Sequence, residues 1–509
     1  MKSLAKLIGI SLTGMMLFTN PIIAQFEPIT GYHAGALLFS QTSWNGSARI
    51  TGLGGAQASL GGDISSASGN PAGLGFYNRS EFSLSPSLNF VNANTEYLNS
   101  PNSSTNVNFN IGNLGVVINR KRTASEDDLL FGGSFGFSYN RINDFHYEAF
   151  YSGNNDTNDF IDFVLTDIVN NGYNDNNYVH ALSFDNYLIN NFVIENGDTV
   201  DGWSSYIEAP DPQKAPRQSE RIKSSGSQDQ WSFSYGGNIK DRFYFGLSLG
   251  LVSLNYRTSR EYREQRYPDS YLDYFVLDET LSISGMGING TFGAIIRPVD
   301  YISFGLSYTT PSIYEITDEF GSSLESFWKS DAKSDLYPND NNFSSAIYSE
   351  SELVLSQYNL KTAGRINTGA TVFLNKNGFI TGDIEWIDYS RGRLSGGDID
   401  FQADNENIRE LYKPAINFRF GGEYRMDVFR LRAGFNHSGS AYNQSGSLNR
   451  SKNTFSGGAG YRGKSLYADL SALYSIYESE TSPYDLNPVP IANIDNNKMA
   501  FILSFGFLF

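Results

Sequence analysis

A chain of 509 residues with a net charge of −17 has room for two or three domains, and its acidity argues against polyanions such as nucleic acid as partners. It contains no cysteine, which excludes both a disulfide framework and a lipid-modified cysteine. Aromatic residues make up 15% of the sequence, but beyond the N-terminus they are dispersed through polar sequence, and no mature transmembrane helix is visible.

In chain order, Lys2 and Lys6 precede the apolar run from Leu7 to Phe18, and the small residue Ala24 closes the stretch. This is the layout of a secretory signal peptide over residues 1–24, cut before Gln25. Residues 25–80 have a different character. Gly46-Ser47-Ala48-Arg49, Gly52-Leu53-Gly54-Gly55-Ala56 and Ser65 to Leu74 are small and glycine-rich, show no period-two pattern and are unsuited to spanning lipid.

Alternation begins at Phe82. Phe82, Leu84, Pro86, Leu88 and Phe90 alternate with Ser83, Ser85, Ser87 and Asn89. That is the pattern of a membrane strand with one face to lipid and one to a polar lumen. Further segments of this kind lie at about 106–119, 129–142, 229–239, 243–256, 279–296, 301–309, 362–374, 379–389, 414–424, 428–437, 453–461 and 465–477, and the last ends at Phe509, which makes fourteen. Short joints such as Lys240-Asp241-Arg242, Arg297-Pro298-Val299-Asp300 and Arg425-Met426-Asp427 alternate with long ones near 143–228, 257–278, 310–361, 390–413, 438–452 and 478–497. Short periplasmic turns alternating with long outer loops, and an even strand count that leaves both ends periplasmic, predict an all-β transmembrane antiparallel β-barrel over residues 81–509. Its long extracellular loops are 143–228 and 310–361.

Gly458 to Ser465 matches the phosphate-binding pattern G-x-x-x-x-G-K-[ST]. That chemistry needs a helix after the loop. Leu466, Ala468, Leu470, Ala472 and Tyr474 instead alternate with Tyr467, Asp469, Ser471 and Leu473, so Arg462-Gly463-Lys464 is read as a turn between two strands.

Asn70-Pro71-Ala72, set between a glycine- and alanine-rich run and the first strand, resembles the hatch of the FadL-type long-chain fatty acid transporters of Gram-negative outer membranes. Arg297 to Tyr308 with Pro311, Arg419 to Tyr424 with Leu431 to Phe435, and Ser456 to Tyr461 with Asp469 are similar, in the same order, to later patches of that family. The resemblance implies a fourteen-stranded barrel whose lumen is plugged by residues 25–80, set in outer-membrane lipid and lipopolysaccharide. The implied function is passive uptake of hydrophobic small molecules. Cargo enters an apolar lumen, where burial is worth about 0.8 kcal/mol per methylene, and leaves sideways beside a kinked third strand. Gly132, Gly133 and Gly136 are the expected kink, facing Asn70-Pro71-Ala72, since interior glycines weaken a ladder. The 143–228 joint is longer than the family's usual loops.

Neither a cofactor nor a metal is implied, and the chain reads as non-enzymatic: His437-Ser438 are strand neighbours that point to opposite faces. Haem reception is the rival reading, with His33, His146, His180 and His437 as the histidines available for an axial bond. The runs Asn154-Asn155-Asp156 and Asn174 to Asn177 lack the glycine and glutamate of a calcium loop and read as solvated loop. A surface docking or shuttle role for secreted proteins, carried by the extracellular loops, is the alternative outside transport.

Overall fold

The computed structural model describes residues 31–43, 46–120, 130–195, 198–207, 209–397, 399–443 and 448–509. The signal peptide (1–24), the start of the hatch segment and nearly all of the joint at 120–128 lie outside the described residues. Fourteen antiparallel strands form one closed barrel. They are β1 Glu81–Tyr97, β2 Ser100–Arg120, β3 Leu130–Asp144, β4 Arg217–Ile239, β5 Phe243–Gln265, β6 Leu272–Val299, β7 Ile302–Thr309 continued by Ile313–Trp328, β8 Val354–Lys361 continued by Arg365–Phe373, β9 Gly378–Asp388, β10 Pro414–Met426, β11 Phe429–Ser438, β12 Lys452–Arg462, β13 Leu466–Thr481 and β14 Ala492–Leu508. β1 pairs with β2 on one side and with β14 on the other, from Glu81↔Leu508 to Tyr97↔Ala492, so the sheet has no edge.

Alternation decides which face is which. Ser83, Ser85, Ser87 and Asn89 are buried towards the lumen, while Phe82 and Leu88 between them are exposed. Phe304, Leu306, Ile380, Phe420, Phe455, Phe505 and Phe507 continue the exposed apolar band around the barrel. Pro86, which has no N–H to give the ladder, sits at a register shift in the β1–β2 pairing. Pro311 lies in the break of β7, and both pieces of that strand stay paired with β6. Arg462↔Tyr467 pairing brackets Gly463 and Lys464, so the phosphate-like motif is a hairpin turn with no helix after it.

The outer half departs from expectation. Joint 257–278 is mostly the outer ends of β5 and β6, joint 310–361 carries β7 on to Trp328 and adds a short strand, Ala346–Glu350, before β8, and β6 reaches 28 residues, far more than lipid requires. The lipid-type alternation fades there for a physical reason. Outward positions such as Arg257 and Glu261 meet water, while the inward Arg260, Glu264 and Arg266 are buried and paired with acids or with each other. Joint 143–228 is a folded cap. Tyr147–Asn154 continues the third strand, and α3 (Phe160–Asn171), α4 (Tyr178–Asp185) and a hairpin, Asn190–Glu195 with Asp198–Ser204, follow. Phe160, Val164, Ile168, Leu182, Phe275, Trp328, Phe343 and Tyr484 bury one core between this cap and the outer strands. The asparagines read as solvated loop include the N-cap of α4, Asn177, whose side chain accepts from Val179 N.

Candidate functional site

Three bodies stack in the lumen. The lowest is the hatch, with α2 (Ala48–Thr51) and two 3₁₀ turns, Ile64–Ala67 and Pro71–Phe76. The N-terminal helix α1 (Tyr32–Ser40) lies towards the outer side and packs against the helix Gln402–Leu411 of the β9–β10 loop. The cap closes the outer end.

Asn70 is fully buried and fixes the hatch in two ways. Its Oδ1 accepts from Ala72 N at 3.2 Å, capping the 3₁₀ turn that Pro71 begins. Its Nδ2 donates to Ala58 O at 2.6 Å and reaches Ala294 O and Leu306 O, both at 3.4 Å, on the barrel wall. Asp383 of β9 accepts from Gln57 N and Ala58 N at 2.7 and 2.8 Å. The wall at this level is glycine because hatch backbone touches it. A Cβ on Gly293 would lie 1.9 Å from Asn70 Oδ1, one on Gly305 1.9 Å from Ala58 O, and one on Gly246 2.2 Å from the Pro71 carbonyl carbon. Towards the periplasmic turns, Arg432 donates to Glu423 at 2.9 Å and to Asp469 at 2.6 Å, and the hatch's Arg49 joins the same cluster.

The predicted kink glycines are not brought against Asn70-Pro71-Ala72, which meet β4, β5 and β6 instead. Gly132 has φ 144° and lies at a register shift near the periplasmic end of β3. Gly133 and Gly136 stay in ladder with both neighbours, and a Cβ on Gly136 would stand 3.0 Å from Leu74 of the hatch. The β2–β3 ladder ends further out, at Asn113↔Asn140. Beyond it, Gly112 is bulged out of the β1–β2 register and Ser100 to Ile111 of β2 pair with β1 alone, while the third strand continues beside β4 through Tyr147–Asn154. That extension tucks behind the β1–β2 hairpin, where Thr95 Oγ1 donates to Phe150 O at 2.7 Å and the rings of Tyr97 and Tyr151 lie 4.7 Å apart. At the last rung Asn113 Nδ2 donates to Asn140 Oδ1 at 2.5 Å, and beyond it side chains bridge the seam where the backbone does not: Asn110 Nδ2 donates to Asp144 Oδ2 at 2.9 Å and Asn102 Nδ2 to Ser152 O at 3.5 Å. The N-terminal segment holds the inner lip, since Ser43 N donates to Ile142 O at 2.8 Å and Asn143 Nδ2 to Gln41 O at 3.1 Å.

Between hatch and N-terminal helix lies a cavity of about 70 Å³. Its wall differs from the apolar lumen that the family resemblance implies. Ser, Thr, Asn and Gln dominate, joined by Arg365 and Glu385, and the apolar contribution comes from Phe39, Ile50, Ile142 and Tyr314. The lining converges from many strands, so no single stretch of sequence announces it. The four histidines do not gather. His33 bonds Asp404 at 3.3 Å, His146 bonds Asp144 at 2.7 Å, His180 bonds Asp167 at 2.8 Å and His437 bonds Asn453 at 2.8 Å, in four separate places. Among the described residues, no group of three or more His, Asp or Glu is placed to hold a metal ion.

No protein-family model matches the sequence, and no curated protein matches it. Among solved structures the chain is similar to a FadL homologue of Pseudomonas aeruginosa, at 12% identity and a TM-score of 0.51, with 92% of this chain and 98% of that one covered. It is also similar to the toluene transporter TodX of P. putida, at 12% identity and a TM-score of 0.50, over 92% and 99% of the two chains. The fold is that of the FadL-type barrels. A closed barrel with an apolar outer band is the architecture of a β-barrel of the Gram-negative outer membrane.

Proposed function

We propose that the protein is a passive outer-membrane channel for small molecules with a hydrophobic body, which it holds in the lumen above the hatch and releases sideways between β2 and β3. The observation that carries this reading is the seam, where the ladder stops at Asn113↔Asn140 and side chains take over. A backbone ladder cannot be parted locally without stranding amides in lipid. Two side-chain hydrogen bonds are worth about 1 kcal/mol each, so the seam is the weakest line in the wall. One barrel of the same fold is a toluene transporter. Long-chain fatty acids are one cargo of the required kind.

Joining Asn110→Cys to Asp144→Cys with a short thiol cross-linker tests the route. Uptake of a radiolabelled hydrophobe into cells making the protein is expected to fall at least tenfold, and to be retained by either single variant. Unchanged uptake in the cross-linked pair would remove lateral release. The folded cap favours docking of a secreted partner as a second reading. If deletion of residues 156–213 abolished partner capture while uptake persisted, docking would gain over transport.

A further inference from the structure

The cavity wall carries an unbalanced set of hydrogen-bonding groups. Gln57 of the hatch, Gln228 of β4, Asn289 of β6, Asn367 of β8 and Glu385 of β9 are each at least nine-tenths buried and all line it. Gln57 Oε1, Gln228 Oε1, Asn289 Oδ1, Asn367 Oδ1 and Glu385 Oε2 are buried oxygens with no partner in the protein, and the unpartnered donors are Asn367 Nδ2 and Arg365 Nε. Five acceptors therefore stand against two donors. A backbone carbonyl fixes the amide assignment of Gln228, whose Nε2 donates to Phe39 O, and Asn289 Nδ2 donates to Gln230 Oε1 and to Ser312 Oγ. Glu385 Oε1 already accepts from Asn417 and from Arg419 at 2.6 Å, which leaves Oε2 for something else.

Buried acceptors without donors cost free energy, and a wall that collects them is a wall shaped for a donor-bearing guest. We infer that this cavity is a subsite for a neutral, donor-rich head group, one bearing hydroxyls or amide N–H groups, at the end of an aliphatic chain. The inference rests on the lateral-release reading, because the chain needs the seam for its path: Asn140 and Ile142 line the cavity and also form the seam's inner lip. The size fits a head group and not a whole lipid, since 70 Å³ corresponds to roughly five water positions. A carboxylate head fits poorly. It brings no donor and puts its own charge among five unpartnered oxygens including the Glu385 carboxylate, with Arg365 and the hydroxyls of the wall as its donors.

The test uses the barrel in lipid nanodiscs with two photo-reactive probes of one chain length, a 1-monoacylglycerol and the free fatty acid, each carrying a diazirine near the head. After irradiation, labelled peptides are identified by mass spectrometry. The monoacylglycerol is expected to label the segments around Phe39 to Ser43 and Arg365 to Asn367 at least tenfold more than the fatty acid. Asn367→Leu and Gln57→Leu should each reduce that labelling severalfold, and together about tenfold. Asn367→Leu should leave the unfolding temperature unchanged or raised, because its amide bonds nothing in the protein. Equal labelling by the two probes, or no lumenal label from either, the result for a cavity that holds water only, overturns the inference. The seam experiment separates the two ideas. Lumenal labelling with uptake indifferent to the cross-link leaves this subsite standing and removes lateral release, whereas cross-link-sensitive uptake without the head-group preference removes only the subsite.

Discussion

Hatch and cap both fill the barrel, and they do so by opposite means. At the hatch, polypeptide backbone lies directly on a glycine wall and is held by Asn70, Asp383 and serine hydroxyls such as Ser504, which accepts from Ala48 N at 2.7 Å. In the cap, contact is made by large side chains: Phe160 stands 5.3 Å from Phe275, and Trp328 stands 5.5 Å from Phe343. The hatch is a hydrogen-bonded plug whose aliphatic side chains, such as Leu53, Ile64 and Leu74, are buried in small separate clusters against the wall, whereas the cap is a water-facing domain with one continuous, aromatic-rich core of its own. The difference follows from what each replaces. An insert inside the lumen is held by the wall around it, whereas a lid above the lipid must supply its own hydrophobic burial.

Three substitutions or conditions should separate the two regions. The largest effect is expected for Phe160→Ala, which empties the cap core at a cost of about 3–5 kcal/mol. Limited proteolysis should then cut within 156–213 while the heat-modifiable barrel band on gels stays intact. Loss of both together would show that cap and barrel fold as one unit. Next comes Gly305→Ala, whose methyl would meet Ala58 O of the hatch at 1.9 Å. The overpacking should cost about 1–3 kcal/mol and loosen the hatch, raising conductance in planar bilayers, with the cap untouched. Gly290→Ala in the same sheet, where a Cβ makes only ordinary contacts, is the silent control.

The smallest effect is a pH dependence of the cap. Burial, with Glu264 competing for Arg266, pushes the Asp159 carboxyl up to about 7. The folded cap therefore holds a proton that the unfolded chain, with an ordinary aspartate, has already lost. Its stability should fall as pH rises from about 4 to about 7 and then level off. Hydrogen exchange of α3 amides, corrected for intrinsic rates, should show more protection at pH 5 than at pH 8, and the difference should shrink in Asp159→Asn.

The same contrast explains what could be read from the residues. Between lipid and a polar lumen, every strand must alternate, so β5 begins at Phe243 directly after Lys240-Asp241-Arg242, and β11 begins at Phe429 after the turn at Asp427. Above the lipid, water outside and buried ion pairs inside put charge on both faces, and Arg260 beside Glu261 carries no signal of orientation. The cap helices did leave a trace: Phe160, Ile161, Val164 and Ile168 share a helical face behind the capping box of Asp159 and Asp162, within a run whose many Asn and Asp residues read as loop. Asn70 was visible as a motif. The seam was not, because Gly112 and Pro86, which stand at the bulge where β2 parts from the third strand, read as ordinary members of alternating strands.

Closure of the ring between β1 and β14 constrains how the molecule is made. The first strand can find the last only after the entire chain has been delivered, and the plug-forming residues precede that first strand. The residues that fill the lumen are therefore already made when the ring closes, and the last rows of amide bonds, between β1 and β14, complete the circumference in which they sit. A chain lacking them would have to find the same circumference around an empty lumen.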